Sequence, residues 1–265
     1  MSIVFLTGNH PRHAYMAGRV AASGLLSSLV VETREEHVPK PPSELPAAQS
    51  QLFRRHFAER ADAERHFFGD KVIWPDVPVL NVDREDLNSG KTAAFVDRGG
   101  PAVVLSYGVH KLDEAFLAAF DDAQLWNIHG GLSPWYRGVI THFWPSYLLE
   151  PQMTGMTVHE LTQDIDGGAV VHQSVAPLVA GDGIHQLACR AVRSLGDELP
   201  DLLRRRMKNE LMASRPQKTS GRIWRSVDWR PAHLHLVYEV YQNRIVDRQL
   251  RGEFGGSVPT LARQF

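Results

Sequence analysis

The N-terminus alternates between apolar runs and one helical segment, and this pattern constrains the fold more than any other feature. Ser2–Thr7 is an apolar run closed by a Gly-Asn-x-Pro turn, which predicts a buried strand and then a turn. His13–Ser23 predicts a helix, and Leu25–Glu32 predicts a second strand. A strand, a helix and a strand in this order indicate a parallel pair joined by a crossover. We therefore expect a Rossmann-like, mostly parallel α/β sheet.

The same alternation continues along most of the chain. Further strands are predicted at Val77–Val82, Ala102–Ser106, Leu125–Ile128, Gly155–Leu161 and Ala169–Val175, and helices at Gln49–Phe68, Asp113–Phe120, Thr141–Leu149 and Ile184–Asn209. Pro200 lies inside the last helix, where a proline can kink a helix or split it in two. No Gly-x-Gly-x-x-Gly follows the first strand, so the sequence does not indicate a dinucleotide site.

The C-terminal part differs in pattern from the rest. After a polar stretch at Ser214–Gly221, the sequence predicts a strand at Ile223–Trp229, a helix at Ala232–Asn243 and a strand or hairpin arm at Ile245–Phe254. We therefore expect a first domain over residues 1–210 and a small α+β appendage over residues 211–265. A unit of this size is too small to be stable unless it docks on a larger one.

Composition narrows the class of protein. The chain has 265 residues, 43% of them hydrophobic, and 29 basic residues balance 30 acidic ones. This balance gives no global basic excess of the kind that indicates a nucleic-acid partner. The single cysteine, Cys189, excludes an internal disulfide and a multi-cysteine zinc site. The N-terminal apolar run is too short for a signal peptide or a membrane span. We expect a soluble, cytoplasmic protein without a membrane partner.

Groups suited to acyl chemistry are concentrated between Trp126 and Gly168. Asn127 and His129 lie two apart at the predicted end of a strand, so both side chains face the same side, toward the sheet edge where open α/β sheets bind ligands. Asp166 follows in a Gly-rich loop. An amide, an imidazole and a carboxylate are the groups needed to stabilise an oxyanion and to move a proton at a carbonyl centre.

The order of motifs in this run resembles the formyltransferases that use 10-formyltetrahydrofolate. Asn-x-His, Ser-Pro-x-x-x-Gly, Gly-x-Thr-x-His and Asp-x-Asp-Gly-Gly follow one another. The resemblance implies that Asn127, His129 and Asp166 are catalytic, with His159 in a supporting place. It also implies that Asn127 and a protonated His129 stabilise a tetrahedral oxyanion while Asp166 holds the imidazole. No metal is required. The family often has Asp-Ala-Gly or Asp-Thr-Gly at this point. This chain has Asp-Gly-Gly, so that Gly167 replaces the alanine or threonine.

The resemblance further implies a pocket for the formyl donor. The segment Ser106–Leu112 is similar to the family segment whose main chain borders the pterin, and the loop Leu161–Gly167 would form the opposite wall. A flat, amide-like heterocycle is well matched by exposed backbone groups in an apolar slot. The expected donor-binding residues are Tyr107, Gly108, Lys111, Leu112, Asp164 and Ile165.

The appendage and one aromatic segment reduce the number of acceptor amines that the resemblance allows. Relatives that formylate glycinamide ribonucleotide usually lack such an appendage, and those that formylate methionyl-tRNA carry a larger, basic one. The segment Arg137–Trp144 is similar to enzymes that formylate nucleotide-linked amino sugars for surface polysaccharides such as the lipopolysaccharide O-antigen. We therefore expect a small-molecule amine on a nucleotide-linked sugar.

Several alternatives remain open at this point. A siderophore hydroxyornithine would suit the same machinery. A formyltetrahydrofolate hydrolase would use water as the acceptor, and a non-catalytic folate-binding protein would need no catalytic set. The stretch Ile223–Phe254 is rich in aromatic and aliphatic residues that need a covering surface. Because two-fold pairing is common in soluble assemblies, we expect a homodimer to which this stretch contributes.

Overall fold

Seven strands form one sheet in the order β3-β2-β1-β4-β5-β7-β8. The computed structural model describes residues 2–33, 38–218 and 221–265. The strands of this sheet are β1 (Ser2–Gly8), β2 (Leu26–Glu32), β3 (Val79–Val82), β4 (Pro101–Tyr107), β5 (Gln124–His129), β7 (Gly155–Glu160) and β8 (Val170–Val175). β1 to β5 run parallel, whereas β7 pairs antiparallel with both β5 and β8. The predicted α/β class with a mostly parallel sheet is confirmed.

Helices connect the strands and extend beyond the sheet. They are α1 (Pro11–Ala21), α2 (Ala47–Phe68), α3 (Gly90–Arg98), α4 (Glu114–Ala118), α5 (Trp144–Tyr147), α6 (Ile184–Met207) and α7 (Ile245–Leu250). Short 3₁₀ turns occur at Pro151–Met153, Ser226–Asp228 and Pro231–His233, and a π-helical turn at Leu236–Val240. Within the described ranges, no helix is long and apolar enough to cross a membrane.

The two faces of the sheet bury different helices. Because side chains alternate along a strand, Phe5 of β1 packs in the core that contains Met16 of α1 and Leu195 of α6. Its neighbour Leu6 packs in the opposite core, with Phe116 of α4. α1 and α6 therefore cover one face of the sheet, and α3 and α4 cover the other.

A third core joins the C-terminal part to the first 210 residues. Strand β9 (Arg222–Trp224) pairs in parallel with the short strand β6 (Tyr136–Gly138). Trp224 stacks on Trp144 with ring centroids 4.0 Å apart and planes 13° apart. Tyr238 is 2% exposed and packs in the same core as residues of α2. The apolar surface predicted to need cover is thus largely covered by the preceding part of the same chain.

The sequence predictions were only partly right in the C-terminal part. Ile245–Phe254, predicted as a strand, contains the helix α7, which buries Ile245 and Val246 against the body. The predicted strand at Ile223–Trp229 ends at Trp224, since its partner β6 is only three residues long. The predicted helix at Ala232–Asn243 forms as a continuous helical stretch over residues 231–240, but it changes from 3₁₀ to π geometry along its length and ends at Val240. Packing on the body overrides local preference here.

Further differences lie in the first 210 residues. The predicted helix at Thr141–Leu149 shortens to the single turn of α5. Pro200 does not split α6, which runs unbroken from Ile184 to Met207. The buried leucines around Pro200 anchor both halves, and this packing offsets the lost hydrogen bond. The pattern also missed α3 and β6.

Candidate active site

Asn127 lies near the end of β5, at the carboxyl edge of the sheet, and pairs with His159 of the antiparallel strand β7. The Asn127 Oδ1 accepts a hydrogen bond from Ser106 Oγ at 2.8 Å. His159 Nδ1 lies 2.7 Å from the Glu160 carbonyl oxygen and so carries the ring proton. His159 Nε2 is then an acceptor, and the NH₂ side of Asn127 has to face it. Asn127 Nδ2 then lies 3.1 Å from His159 Nε2. One amide hydrogen thus points to His159, and the second is available to a ligand.

His129, two residues along β5, is held at both ring nitrogens. Its Nε2 lies 2.7 Å from the Tyr136 carbonyl oxygen, so this nitrogen carries a proton and donates. Its Nδ1 lies 3.3 Å from Asp166 Oδ2. Burial lowers the pKa of His129, and the Asp166 carboxylate and the Tyr136 carbonyl act in the opposite direction. Nδ1, which lies next to the Asp166 carboxylate, is therefore the ring nitrogen that can exchange a proton.

Asp166 lies in the loop between β7 and β8, with a left-handed φ of 46° that an aspartate tolerates better than most residues. Its Oδ2 accepts the Gly138 N–H at 2.8 Å, and its Oδ1 lies 3.4 Å from His159 Nε2. Burial acts to raise the pKa of Asp166, but the two histidines outweigh it and lower the pKa to about 2. The carboxylate is thus ionised at neutral pH.

The C-terminal part supports this loop from behind. Gln217 Nε2 donates to the carbonyl oxygens of Asp166 and Gly168, each at 2.7 Å. Gly138 has φ 93°, and a Cβ there would lie 2.0 Å from the Trp224 carbonyl oxygen. Only a glycine fits where β6 passes this close to β9. The Gly138 N–H that binds Asp166 therefore depends on the pairing of β6 with β9.

These groups open onto one cavity of about 750 Å³. The cavity is lined by all nine residues predicted for the site. Asn127, His129 and Asp166 are those predicted as catalytic, and those predicted to bind the donor are Tyr107, Gly108, Lys111, Leu112, Asp164 and Ile165. The structure thus brings together every site residue that the sequence suggested. The volume lies in the range of small-molecule sites.

The expected donor walls face each other across the cavity mouth. Lys111 Nζ donates to the Gln163 carbonyl oxygen at 3.0 Å and joins the two walls. Ile165 is 51% exposed, whereas Leu112 is 4% exposed. The Tyr107 ring turns away toward α1 and packs edge-on against His13, so this residue offers mainly its backbone to the donor side. Apolar walls with backbone edges fit a flat heterocycle.

Sequence reasoning did not find the opposite wall of the cavity. This wall is built by α1, α2, α6 and the C-terminal part, through residues such as Arg12, His56, Arg60, Glu64, His185 and Trp229. His56, Arg60 and Glu64 share one face of α2, but the segments that build this wall are far apart in the sequence and share no motif. Only the packing of α2 against α6 and the docking of the C-terminal part bring them together.

Comparison with known proteins supports the predicted resemblance. Residues 82–201 match the family described as Formyl transferase. A phosphoribosylglycinamide formyltransferase from Escherichia coli (strain K12) is 35% identical over 98 residues, which are 36% of this chain. The match spans 44% of the length of that relative.

Two solved structures show the shared fold. A phosphoribosylglycinamide formyltransferase from Anaplasma phagocytophilum has a TM-score of 0.57 at 15% identity, over 85% of this chain and 98% of its own. An N-formyltransferase from Helicobacter canadensis, in complex with folinic acid and dTDP-3-aminofucose, has a TM-score of 0.53 at 15% identity, over 87% of this chain and 73% of its own. The matched segment 82–201 contains Asn127, His129 and Asp166, so the part of the chain that carries the candidate site is similar to the formyl transferase family.

Proposed function

We propose that this protein is an enzyme that transfers the formyl group of 10-formyltetrahydrofolate to a primary amine, and that the amine belongs to a nucleotide-linked amino sugar. The observation that carries the proposal is the convergence of Asn127, His129 and Asp166 on one cavity, inside the segment that matches the formyl transferase family. The donor supplies the formyl carbon. Tyr107, Gly108, Lys111, Leu112, Asp164 and Ile165 are the residues proposed to hold it.

The reaction forms one bond and breaks another. The amine nitrogen bonds to the formyl carbon, the carbonyl oxygen takes up negative charge, and the bond from this carbon to the folate nitrogen then breaks. The amine loses one proton and the folate nitrogen gains one, so the products are a formamide and tetrahydrofolate. The protein therefore has to stabilise an oxyanion and to move a proton.

Asn127 is placed to stabilise the oxyanion. The hydrogen bond from Ser106 Oγ to its Oδ1 keeps the Nδ2 side turned toward the cavity. A donor held in this way needs no reorganisation when charge develops on the carbonyl oxygen, which is the condition for strong electrostatic stabilisation. Ser106 is thus a positioning residue that acts through Asn127.

His129 and Asp166 are placed to move the proton. The Nε2 of His129 is occupied by the Tyr136 carbonyl, so the exchange takes place at Nδ1, beside Asp166 Oδ2. The ionised carboxylate stabilises the imidazolium that forms when the amine proton is taken up. Since burial lowers the pKa of His129, the imidazole readily returns this proton to the folate nitrogen.

A nucleotide-linked sugar is supported by two observations. The Helicobacter canadensis structure of similar fold contains dTDP-3-aminofucose. In this chain, Phe57 and Trp229 line the wall opposite the expected donor site, and aromatic side chains suit contacts with a base or a sugar face. Formylation of such a sugar would place the enzyme in the synthesis of a surface polysaccharide such as O-antigen.

The proposal also covers the oligomeric state and the cellular compartment of the protein. We expect a cytoplasmic protein with a catalytic domain over residues 1–210, an appendage over 211–265 and a homodimeric state. In the appendage, Val227 and Val258 remain 74% and 83% exposed and are available for a subunit contact. Light scattering at micromolar concentration is expected to give the mass of a dimer; the mass of a monomer would rule out this part.

The experiment that tests the function is an assay of formyl transfer with a panel of amines. The panel contains dTDP-3-aminofucose, glycinamide ribonucleotide, methionyl-tRNA and hydroxyornithine, and a control contains no amine. We expect formylation of the nucleotide-linked sugar and little donor turnover without amine. Equal turnover without amine would identify a formyltetrahydrofolate hydrolase. Donor binding without any turnover would identify a folate-binding protein.

A further inference from the structure

The cavity crosses the carboxyl edge of the sheet from one face to the other. On the donor side, Leu112 and Leu161 pack with the core beneath α3 and α4. The far end is lined by side chains from α1, α2 and α6, which cover the opposite face. Asn127 and His129 on β5 lie between the two ends. A donor on one side therefore leaves the far end as the place for the acceptor.

Two guanidinium groups at this far end converge on one carboxylate. Arg12 Nη1 donates to Glu64 Oε1 at 2.6 Å, and Arg60 Nε lies 3.7 Å from the same oxygen. All three side chains are largely buried, with 26%, 27% and 11% of the Arg12, Arg60 and Glu64 side chains exposed. Among the described residues of this cluster, the positive charges exceed the negative charge by one.

Four other titratable groups that line this end do not alter that balance. Burial lowers the pKa of His56 to about 3, and also that of His142 to about 3. Burial, together with the neighbouring His56, lowers the pKa of His185 well below its usual value. Burial raises the pKa of the Cys189 thiol to about 12. At neutral pH these groups are uncharged, so the two arginines and Glu64 determine the electrostatic potential here.

Aromatic rings adjoin the guanidinium pair. Arg60 Cζ lies 5.2 Å from the centroid of the Phe57 ring, a cation–π geometry. The Phe57 and Trp229 rings follow at a centroid distance of 6.3 Å. A charged cluster beside flat rings suits a ligand that joins an anionic group to an apolar or aromatic one.

From this arrangement we infer that the far end of the cavity is the acceptor subsite, and that Arg12 and Arg60 select an acceptor amine carrying a phosphate or diphosphate group. The inference rests on the proposed function, which places an amine acceptor in this cavity. Arg60 and Arg12 are then specificity-determining residues. A nucleotide-linked sugar carries such a diphosphate, whereas the free amino sugar does not.

The test measures binding of inorganic pyrophosphate to the full chain by isothermal titration calorimetry at low ionic strength. The variant is Arg60→Gln, which leaves the Arg12–Glu64 pair in place. The matched control is Arg54→Gln, which removes the same charge from an exposed position of the same helix. We expect wild type and the control to bind alike and Arg60→Gln to bind about 10- to 100-fold more weakly, as for the loss of one charge-assisted hydrogen bond.

Two results would overturn the inference: no binding of pyrophosphate to wild type, or equal binding to Arg60→Gln. Arg60→Lys, which keeps the charge, is expected to recover part of the affinity and guards against a folding defect in the first variant. With dTDP-3-aminofucose, Arg60→Gln is expected to raise KM about tenfold or more and to change kcat much less. If no amine is formylated while pyrophosphate binding still depends on Arg60, the proposed function fails and the anion site stands.

Discussion

The two parts of the candidate active site are held in different ways. Asn127 and His129 lie on β5, an interior strand of the seven-stranded sheet, with β4 and β7 on either side. Asp166 lies on a loop, and its position depends on the Gly138 N–H and on Gln217. The sheet-borne part is fixed by ladder hydrogen bonds and the core. The loop-borne part is fixed by contacts that arrive from the C-terminal end of the chain.

The proposed catalytic groups and the contacts that support them thus come from different parts of the chain. The pairing of β6 with β9 and the contacts of Gln217 connect residues beyond 210 to the carboxylate, whereas the proposed catalytic groups all lie before residue 210. A disturbance of the C-terminal part should therefore loosen Asp166 and leave Asn127 in place. The predictions below test this separation.

The largest effect is expected for Asn127→Ala. This change removes the oxyanion donor but no apolar packing, so turnover should fall about a hundredfold or more while the fold is kept. Steady-state kinetics and far-UV circular dichroism measure the two outcomes. Gln124→Ala, at the other end of the same strand, is the matched control and should keep its activity. Near-normal turnover of Asn127→Ala would refute the role of this residue.

Asp166→Asn should have the next largest effect. The new side chain can still accept the Gly138 N–H, but it no longer stabilises an imidazolium at His129. We expect kcat to fall about 10- to 100-fold with little change in stability, because proton transfer rather than folding is weakened. Since the pKa of Asp166 is about 2, its carboxylate should produce no acidic limb in the wild-type profile between pH 5 and 9. Such a limb, absent in the variant, would contradict the assignment.

Gln217→Ala tests the support from the C-terminal part. It removes the two hydrogen bonds to Asp166 and Gly168, each worth about 1 kcal/mol, and should lower kcat by about three- to tenfold through a looser carboxylate. Lys218→Ala, the exposed neighbour, is the control. If the pH profile of kcat is unchanged and only the denaturation midpoint shifts, Gln217 is merely structural.

A separate effect, on stability rather than on turnover, is expected at the contact between Tyr238 and the body. The Tyr238 hydroxyl lies 3.0 Å from His56 Nδ1 and 3.2 Å from His185 Nε2. The folded pKa of His56, about 3, is below the ordinary 6.5, so the unfolded chain binds the proton first. Stability should be full above pH 6.5 and fall as the pH drops from there toward 3. At pH 5 the loss from His56 is about 2 kcal/mol.

Urea denaturation at pH 7.5 and pH 5 measures this loss. His56→Gln should reduce the difference between the two pH values by about 2 kcal/mol. The exposed His66→Gln on the same helix should leave the difference unchanged. An equal acid sensitivity in all three proteins would show that the buried histidines are not its cause.

The sheet and the sheet-borne residues could be predicted from sequence because local signals determine them. Apolar runs of strand length give β1, β4 and β5, and the spacing of Asn127 and His129 places both side chains at one edge. Asp166 was identified through motif order alone. Nothing in its loop sequence shows that Gly138 and Gln217 would hold it.

The C-terminal part could not be predicted for a physical reason. Ile245 and Val246 suit a strand as well as a helix, and contact with the body decides between them. The wall made by Arg12, Arg60 and Trp229 depends on three segments that meet only after folding. Long-range packing of this kind leaves no periodic signal in one sequence.

Product analysis by mass spectrometry shows whether the protein formylates an amine and whether this reaction depends on Asn127. Wild type and Asn127→Ala are incubated with 10-formyltetrahydrofolate and a panel of nucleotide-linked amino sugars that includes dTDP-3-aminofucose. We predict that wild type converts one of these amines to its formamide, with release of tetrahydrofolate, and that Asn127→Ala does so about a hundredfold more slowly. Formamide produced equally fast by both proteins, or donor consumed without any formylated amine, would contradict the account.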